Sequence, residues 1–355
     1  MRRDIGTDDT RVRVRPGKSS RPRTKIRPDY SQCPRAMVTG VDRGRYRLLM
    51  EDGSGTAGTS GTEVTAVKAR ELGRGAIVVG DRVRVSGDVS GRKDTLARVV
   101  LIEERRTLLR RSIEDSDKEK ALVANADVLA IVSAVAQPEP RHGMIDRCLV
   151  AAYDAGMTPL LVVTKSDLGS ASELADFYAP LGLEIFVTNL GAQVSGDGDA
   201  SDDSDSGVDA LRQRLHGHES VLVGHSGVGK STLINALIPD ADRATGHVNE
   251  VTGKGRHTST SAVSLALPPT ASGEGGRIID TPGVRSFGLA HISPDDVLRG
   301  FSDLEQIADE GCPRGCTHTA SEPECALDTV TDERMGARLA SYRRLLDSLL
   351  SLTEW

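Results

Sequence analysis

The chain has 355 residues, of which 38% are hydrophobic and 27% are charged. This length predicts two or three domains, and this composition is typical of a soluble globular protein. No run of about 18 apolar residues occurs, and the first residues lack the apolar core of a signal peptide. We therefore expect a cytoplasmic protein that does not contact a membrane. The five cysteines are an odd number, which argues against a disulfide framework.

The net charge of −6 hides a basic N-terminal segment. Residues 1–35 contain eleven Lys and Arg residues but only four Asp residues. Such a segment favours contact with a phosphate-rich polymer such as RNA, and a merely solubilising tail is the alternative. Its Pro and Gly content and missing apolar periodicity predict a disordered arm over residues 1–35.

Residues 36–110 predict a small β-barrel. Strand candidates lie at residues 36–50, 64–69, 80–86 and 96–102, with Gly-containing turns between them and no helical period. A five-stranded oligonucleotide-binding (OB) barrel is the best match. Arg82, Arg84 and Arg98 alternate with apolar residues, so one barrel face is a candidate RNA surface, and an ordinary half-solvated strand face is the alternative.

Residues 111–290 alternate between strands and helices, which predicts a parallel α/β sheet. The apolar run at residues 127–135 is typical of a strand covered on both faces. Further strands are predicted at residues 159–163 and 183–187, and helices at 144–155, 172–178 and 208–215. Residues 191–207, rich in Asp, Ser and Gly, predict an acidic surface loop, and their spacing matches no calcium-binding loop.

Residues 224–231 match the phosphate-loop pattern G-x-x-x-x-G-K-[ST], between a strand at 220–223 and a helix at 231–238. In this context Lys230 is expected to contact the β- and γ-phosphates and Ser231 to ligate Mg²⁺. A glycine-rich turn with a chance lysine is the alternative. The predicted phosphate-binding residues are Gly224, His225, Ser226, Gly227, Val228, Gly229, Lys230, Ser231 and Thr232.

Residues 164–167, which follow a predicted strand, match the guanine-binding pattern [NT]-K-x-D. The Asp167 carboxylate can accept hydrogen bonds from both N1–H and the exocyclic amine of guanine, a pair that adenine does not offer. The stem of Lys165 is expected to lie over the base. GTP and GDP are therefore the predicted ligands, and the predicted base-binding residues are Thr164, Lys165, Ser166 and Asp167.

Two further segments predict contacts to Mg²⁺ and the γ-phosphate. Residues 280–283 have the D-x-x-G pattern, in which Asp280 would hold Mg²⁺ through a water and the Gly283 N–H would contact the γ-phosphate. A plain turn is the alternative. Within residues 255–260, Thr258, or as second choice Thr260, is the candidate to close on Mg²⁺, and an ordinary polar loop is the alternative.

The predicted catalytic residues are Lys230, Thr258 and His257. Val284 stands directly after D-x-x-G, where a Gln often orients the attacking water, so intrinsic hydrolysis should be slow. His257 is a candidate for orienting the water, and an RNA-contacting or surface histidine is the alternative. Because the base motif precedes the phosphate loop, the motifs predict a circularly permuted GTPase domain.

Cys312, Cys316, His318 and Cys325 predict a closed, tetrahedral, structural zinc site with one Zn²⁺ per chain. Three free cysteines in a loop are the alternative, and Cys33 and Cys148 are not expected to be ligands. An amphipathic helix is predicted after residue 331, with an apolar face of Leu339, Tyr342, Leu346 and Leu349 and with Arg338, Arg343 and Arg344 exposed. Residues 291–355 are thus predicted to form a helical zinc-binding domain.

Over residues 36–330, these motifs in this order resemble the bacterial small-ribosomal-subunit-dependent GTPases of ribosome assembly, including residues 104–111 before the α/β segment. The resemblance implies a multidomain chain with an N-terminal OB-type barrel, a circularly permuted α/β GTPase domain and a C-terminal helical zinc domain. It implies GTP hydrolysis stimulated by the small ribosomal subunit late in its maturation. We also expect the rRNA of that subunit as a partner and a monomeric chain. Thr164 stands where Asn is common in the family. A nucleotide-controlled RNA-binding module with incidental GTP turnover is the alternative function.

Overall fold

The computed structural model describes residues 29–51, 61–73, 76–113, 116–190, 203–239, 241, 262–269, 275–281 and 292–353. The chain divides into two compact units, residues 1–32 and residues 33–355. In the first unit, residues 29–32 are described, and there the Ser31 N–H donates to the Asp29 carboxylate over 2.8 Å. Most of the predicted disordered arm, residues 1–28, lies outside the described residues. All elements below belong to the second unit.

The first five strands form a closed barrel. They are β1 (Arg35–Asp42), β2 (Arg45–Met50), β3 (Glu63–Lys68), β4 (Arg82–Gly87) and β5 (Ala97–Ile102). The order β1-β2-β3-β5-β4 closes through β1–β4 pairing, and only the β3–β5 pair within it is parallel. Alternate residues, among them Val38, Leu48 and Val83, are fully buried inside the barrel. The predicted OB-type barrel is confirmed, although Arg35, expected in the arm, begins β1.

A two-stranded hairpin that the sequence patterns did not predict follows the barrel. It consists of β6 (Leu108–Ile113) and β7 (Ser116–Ala124), so the expected domain boundary between residues 110 and 111 falls inside β6. The fully buried Asp81 accepts hydrogen bonds from Arg105 Nε at 2.7 Å and Nη2 at 2.9 Å. Asn125 Nδ2 donates to the Gly80 carbonyl over 2.9 Å. These contacts hold the hairpin against the barrel.

The strands that follow the hairpin form a sheet that is parallel except at one edge. Its strands are β8 (Val128–Ala134), β9 (Thr158–Thr164), β10 (Glu184–Val187), β11 (Glu219–Gly224), β12 (Val263–Ala266) and β13 (Arg277–Asp280). Their order is β10-β9-β8-β11-β13-β12, and only β12 is antiparallel to its neighbour. The predicted α/β sheet is confirmed. The carboxyl ends of β9, β11 and β13 therefore lie at one edge of the sheet, where ligands bind in such folds.

Within the described residues, the helices that accompany this sheet are α1 (His142–Asp154), α2 (Ser172–Tyr178), α3 (Asp203–Leu215) and α4 (Lys230–Leu237). A short 3₁₀ helix, Ala179–Leu181, follows α2. The acidic loop predicted at residues 191–207 is shorter than expected, because residues 203–207 already form the start of α3. Residues 191–202 lie outside the described residues.

The barrel and the α/β sheet are continuous. Gly40 of β1 pairs with Val263 of β12, so the two halves form one eleven-stranded sheet. Arg82 of β4 adds an ionic link, because its guanidinium contacts Glu219 at the start of β11 and lies 3.3 Å from Glu51. We call Arg82, Glu219 and Glu51 the junction ions. Glu219 is buried, and burial raises the pKa of its carboxyl while Arg82 opposes that rise.

The C-terminal helices share a hydrophobic core with the α/β part. They are α5 (Pro294–Leu298), α6 (Ser302–Gly311), the 3₁₀ helix Ala326–Thr329 and α7 (Glu333–Thr353). Phe301 lies between Tyr153 of α1 and Tyr342 of α7, with ring centroids 5.5 and 5.4 Å away. None of the helices in the described residues combines the length and apolar character needed to cross a membrane.

The apolar face predicted for the last helix is confirmed. Leu339, Tyr342, Leu346 and Leu349 are all buried. The prediction that three arginines of α7 are exposed is wrong. Arg338, Arg343 and Arg344 are only 17–29% exposed and pair with Asp303, Asp328 and Asp146, respectively. The carboxylates come from α6, the 3₁₀ helix and α1, so tertiary contacts that the helical period cannot reveal cover these side chains.

Candidate nucleotide site and metal cluster

The phosphate loop, residues 224–231, joins the carboxyl end of β11 to the N-terminus of α4. Gly229, the residue before α4, has φ of 89°, a left-handed conformation that glycine adopts without strain. A Cβ on Gly224 would lie 2.6 Å from the carbonyl oxygen of Val132. Both glycines are therefore required by the backbone path. The path leaves the first N–H groups of α4 open to a phosphate, where the helix dipole also favours negative charge.

Lys230 and Asp280 meet in the structure. Leu222 of β11 is in register with Asp280, the last residue of the neighbouring strand β13, and the Lys230 ammonium donates to the Asp280 carboxylate. The next residue, Ser231, is exposed on the first turn of α4. The hydroxyl of Ser231 and the carboxylate of Asp280 are oxygen ligands of the kind that Mg²⁺ prefers. This part of the site thus offers one cation for phosphate and two oxygen ligands for a metal.

The base loop, residues 164–167, begins at the end of β9. Thr164 is buried and its hydroxyl donates to the Val228 carbonyl of the phosphate loop. Lys165 has φ of 57°, and its ammonium donates to the Gln137 carbonyl. The Leu168 N–H donates to the Lys165 carbonyl over 2.9 Å, which closes the turn that presents Asp167. The base loop and the phosphate loop are therefore bonded directly to each other.

The two loops share one cavity of about 290 Å³, a size near the lower end of small-molecule pockets. The residues that line it are Thr164, Lys165, Asp167, Leu168, Leu190, Gly229 and Thr232. Asp167 supplies the carboxylate of this wall, and Leu168 and Leu190 supply apolar surface. Such a cavity suits a planar base whose hydrogen-bonding edge offers two donors.

Sequence inspection missed Leu190 and the segment leading to it. The Thr188 N–H donates to the Val163 carbonyl over 2.8 Å, and Ser166 Oγ donates to the Thr188 carbonyl over 3.3 Å. These bonds hold residues 188–190 beside the base loop. The available signal was position, because this segment directly follows β10, a parallel neighbour of β9, and carboxyl ends of parallel strands meet at one edge.

Several predicted residues lie outside the described part of the chain. His257, Thr258, Thr260, Gly283 and Val284 are all in this group, so their roles stay predictions. Thr281 is the last described residue before Gly283 and Val284. Its hydroxyl donates to the Leu222 carbonyl over 3.0 Å, which fixes the start of the D-x-x-G segment against β11.

The four predicted metal ligands come together. One ligand atom from each of Cys312, Cys316, His318 and Cys325 lies within 4.8 Å of all the others. Cys312 Sγ is 4.0 Å from Cys325 Sγ and 3.6 Å from His318 Nδ1. In a tetrahedral zinc site the corresponding separations are about 3.8 and 3.6 Å. The donor set and its spacing therefore fit one zinc ion without an open coordination position.

Neighbouring groups support this metal cluster. The Ala326 N–H donates to Cys312 Sγ over 3.3 Å, and Arg343 Nη2 lies 4.0 Å from Cys325 Sγ, so both stabilise negative charge on sulfur. His318 Nε2 is 3.7 Å from Asp295. In metal sites, the ring nitrogen of a histidine that does not bind the metal commonly donates to a carboxylate in this way. Burial lowers the pKa of His318, which favours the neutral, metal-binding imidazole. Cys148 is buried away from the cluster, and burial raises the pKa of its thiol to about 12.

The barrel face expected to be basic is only partly so. Arg82 belongs to the junction ions, and Arg84 lies 2.6 Å from Glu103. Arg98 is exposed as predicted. Its register partner on β3 is Val67, whose partner on β2 is the exposed Arg45. The cationic surface therefore runs across β2, β3 and β5 rather than along β4, because carboxylates neutralise the β4 arginines.

Comparison with known proteins gave concordant matches. A family model described as RsgA GTPase matches residues 102–290. The protein named "Small ribosomal subunit biogenesis GTPase RsgA" of Ectopseudomonas mendocina (strain ymp) is 41% identical over 238 residues, which span 65% of this chain and 64% of that protein. The protein of that name from Pseudomonas syringae pv. syringae (strain B728a) is 38% identical over 276 residues, or 77% of this chain and 75% of that one.

Two solved structures share the fold. YjeQ from Thermotoga maritima has a TM-score of 0.58 at 23% identity, covering 88% of this chain and 98% of that chain. YloQ, described as a circularly permuted GTPase, has a TM-score of 0.56 at 22% identity, covering 90% and 96%. The predicted architecture of a barrel, a circularly permuted GTPase fold and a C-terminal region with a Cys₃His cluster is thereby confirmed.

Proposed function

Because the chain belongs to the RsgA GTPase family, we propose that it binds GTP with Mg²⁺ and hydrolyses it to GDP and phosphate. The observation that carries this proposal is the single cavity lined by both Asp167 of the base loop and Gly229 of the phosphate loop, with Lys230 beginning the adjoining helix. A guanine held by Asp167 then projects its phosphates toward α4.

Lys230 and Asp280 would take different roles when the nucleotide binds. Lys230 would then contact the β- and γ-phosphates, and Asp280 and Ser231 would hold Mg²⁺, Asp280 through a water. Mg²⁺ supplies charge neutralisation on the phosphate oxygens. Thr258 would contact the metal, the Gly283 N–H would contact the γ-phosphate, and His257 would orient the attacking water. With Val284 after the D-x-x-G segment, unassisted turnover is slow.

We propose the small ribosomal subunit and its rRNA as the partner, during late maturation of the subunit. Support comes from relatives named for small-subunit biogenesis and from the exposed Arg45 and Arg98 on the barrel. Loops and strands on this side of OB folds bind nucleic acids. The metal cluster would hold one zinc ion, which would stabilise the C-terminal helices and take no part in hydrolysis.

GTP turnover with and without purified small subunits tests this function. We expect subunits to raise turnover by at least about tenfold, as stimulated GTPases show. The Lys230→Ala variant should be inactive in both conditions, whereas Arg98→Glu should keep basal turnover and need more subunit for stimulation. Large subunits serve as the control. Equal turnover under all conditions would instead favour the nucleotide-controlled RNA-binding module.

A further inference from the structure

The hydroxyl of Thr164 makes a hydrogen bond to the phosphate loop. Its Oγ1 donates to the Val228 carbonyl and lies 3.4 Å from a second carbonyl oxygen, that of Ser133. A threonine hydroxyl has one proton and two acceptor lone pairs. Since both neighbours are carbonyl oxygens, the proton stays between them. Thr164 therefore presents to the cavity an acceptor and not a donor.

The other described side chains on the cavity wall offer few donors. Lys165 directs its ammonium to the Gln137 carbonyl, and a carboxylate such as that of Asp167 offers acceptors only. Leu168, Leu190 and Gly229 bring no polar side chain. Among these lining residues, the exposed Thr232 is the remaining hydroxyl.

Guanine needs different partners on its two edges. The N1–H and exocyclic amine match the Asp167 carboxylate, whereas N7 and O6 are acceptors and require donors. We propose that Thr164 is a positioning residue that ties the phosphate loop to the base loop, and that none of the described side chains donates a hydrogen bond to guanine N7, so the site accepts guanine nucleotides altered at N7. This inference rests on the proposed binding of GTP and adds which base atoms are recognised.

The probe for this inference is 7-deaza-GTP, in which a C–H group replaces N7 and all other base atoms are kept. Binding of GTP and 7-deaza-GTP to the full chain is measured with Mg²⁺ by calorimetry. We expect dissociation constants within about twofold of each other, because a net hydrogen bond would be worth more. If the affinity for 7-deaza-GTP is lower than that for GTP by about fivefold or more, the inference is wrong. It is equally wrong if that difference disappears in a Thr232→Ala variant, because Thr232 would then be the side chain that binds N7.

Three variants separate positioning from base recognition. Thr164→Ser keeps the hydroxyl and should keep both affinities. Thr164→Val keeps the shape of the side chain but leaves the Val228 carbonyl unpaired. The affinities for both nucleotides should therefore fall by the same factor, about threefold to tenfold. Thr164→Asn brings two amide protons, one for Val228 and one for the base. It should create a preference for GTP over 7-deaza-GTP of about fivefold, a gain that a folding defect cannot produce.

A changed GTP to 7-deaza-GTP ratio in Thr164→Val, or an unchanged ratio in Thr164→Asn, overturns the assignment. The outcomes differ from those that test the proposed function. If subunits fail to stimulate turnover while these binding ratios hold, the inference stands and the ribosomal role falls. If neither nucleotide binds, both are wrong.

Discussion

Asp167 is exposed at the end of the base loop and is the carboxylate on the wall of the nucleotide cavity. Replacing it with Asn exchanges an acceptor for a donor at one position while keeping the shape. Asp167→Asn should therefore weaken the binding of GTP by about tenfold to a hundredfold, because a hydrogen-bonding group of the base is left unpaired. The same substitution should strengthen the binding of xanthosine triphosphate, because the C2 oxygen of xanthine accepts a hydrogen bond.

Competition binding with GTP, ATP and xanthosine triphosphate measures this change. Asp176→Asn, which alters an exposed carboxylate on α2, is the matched control and should leave all three affinities as they are. Equal binding of ATP and GTP by the unchanged protein would show that Asp167 does not select the base.

At the scale of single residues, the sequence located the loops because their patterns depend on backbone geometry that few residues can adopt. The match of residues 224–231 requires Gly224 and Gly229, and the structure shows a close carbonyl at one and a left-handed φ at the other. The sequence could not show that Thr164 bonds to Val228 or that Lys165 bonds to Gln137. Such contacts join segments distant in the chain, which spacing within one motif does not report.

Among the structural elements, the metal cluster closes the connection between α6 and α7. Cys316→Ser removes one of four ligands, so the chain should lose about one zinc, and the C-terminal helices should lose stability. Structural zinc contributes on the order of 10 kcal/mol of folding free energy in small sites. Nucleotide binding by the folded fraction should persist, because the cluster and the cavity share no residue.

Elemental analysis and thermal unfolding with and without a chelator measure the effect of Cys316→Ser. Cys33→Ser is the control, since Cys33 is a half-buried thiol outside the cluster and should retain the zinc. An unchanged protein purified without zinc, and indifferent to chelator, would contradict a structural metal site.

Elements with a clear apolar period were predicted well, and charged ones were not. The helix predicted at residues 172–178 has the bounds observed for α2. The β6–β7 hairpin was missed because its strands are rich in Arg, Lys and Glu, and few side chains such as Leu109 and Val123 enter the core. The start of α3 was assigned to the acidic loop for the same reason. Asp and Ser favour loops locally, but the helix continues into Val208 and Leu211, which are buried.

At the scale of the whole molecule, the junction ions connect the barrel to the strand that carries the phosphate loop. Arg82→Gln would leave Glu219 buried without its cation. Removing one partner of a buried pair typically costs about 3–5 kcal/mol. Burial already raises the pKa of the Glu219 carboxyl, and losing Arg82 raises it further. Because a carboxyl with a raised pKa folds best when protonated, the stability of the variant should fall as pH rises through that pKa.

Urea unfolding at pH 5 and at pH 8 measures this stability. The deficit of Arg82→Gln relative to the unchanged protein should be larger at pH 8. Arg98→Gln, on the exposed barrel face, should show no such difference. A pH-independent deficit in Arg82→Gln would mean that Glu219 is already neutral in the folded protein.

The shared core of α1 and the C-terminal helices also sets an order of events during synthesis. Leu149 of α1 belongs to the same core as Phe301 and Tyr342, yet α5 begins about 140 residues after α1 ends. At a typical elongation rate, that stretch takes roughly 7–28 s to translate. During this interval the nascent chain must carry part of the apolar surface of α1 uncovered. We therefore expect the nascent chain to expose an apolar surface of the kind that chaperones bind.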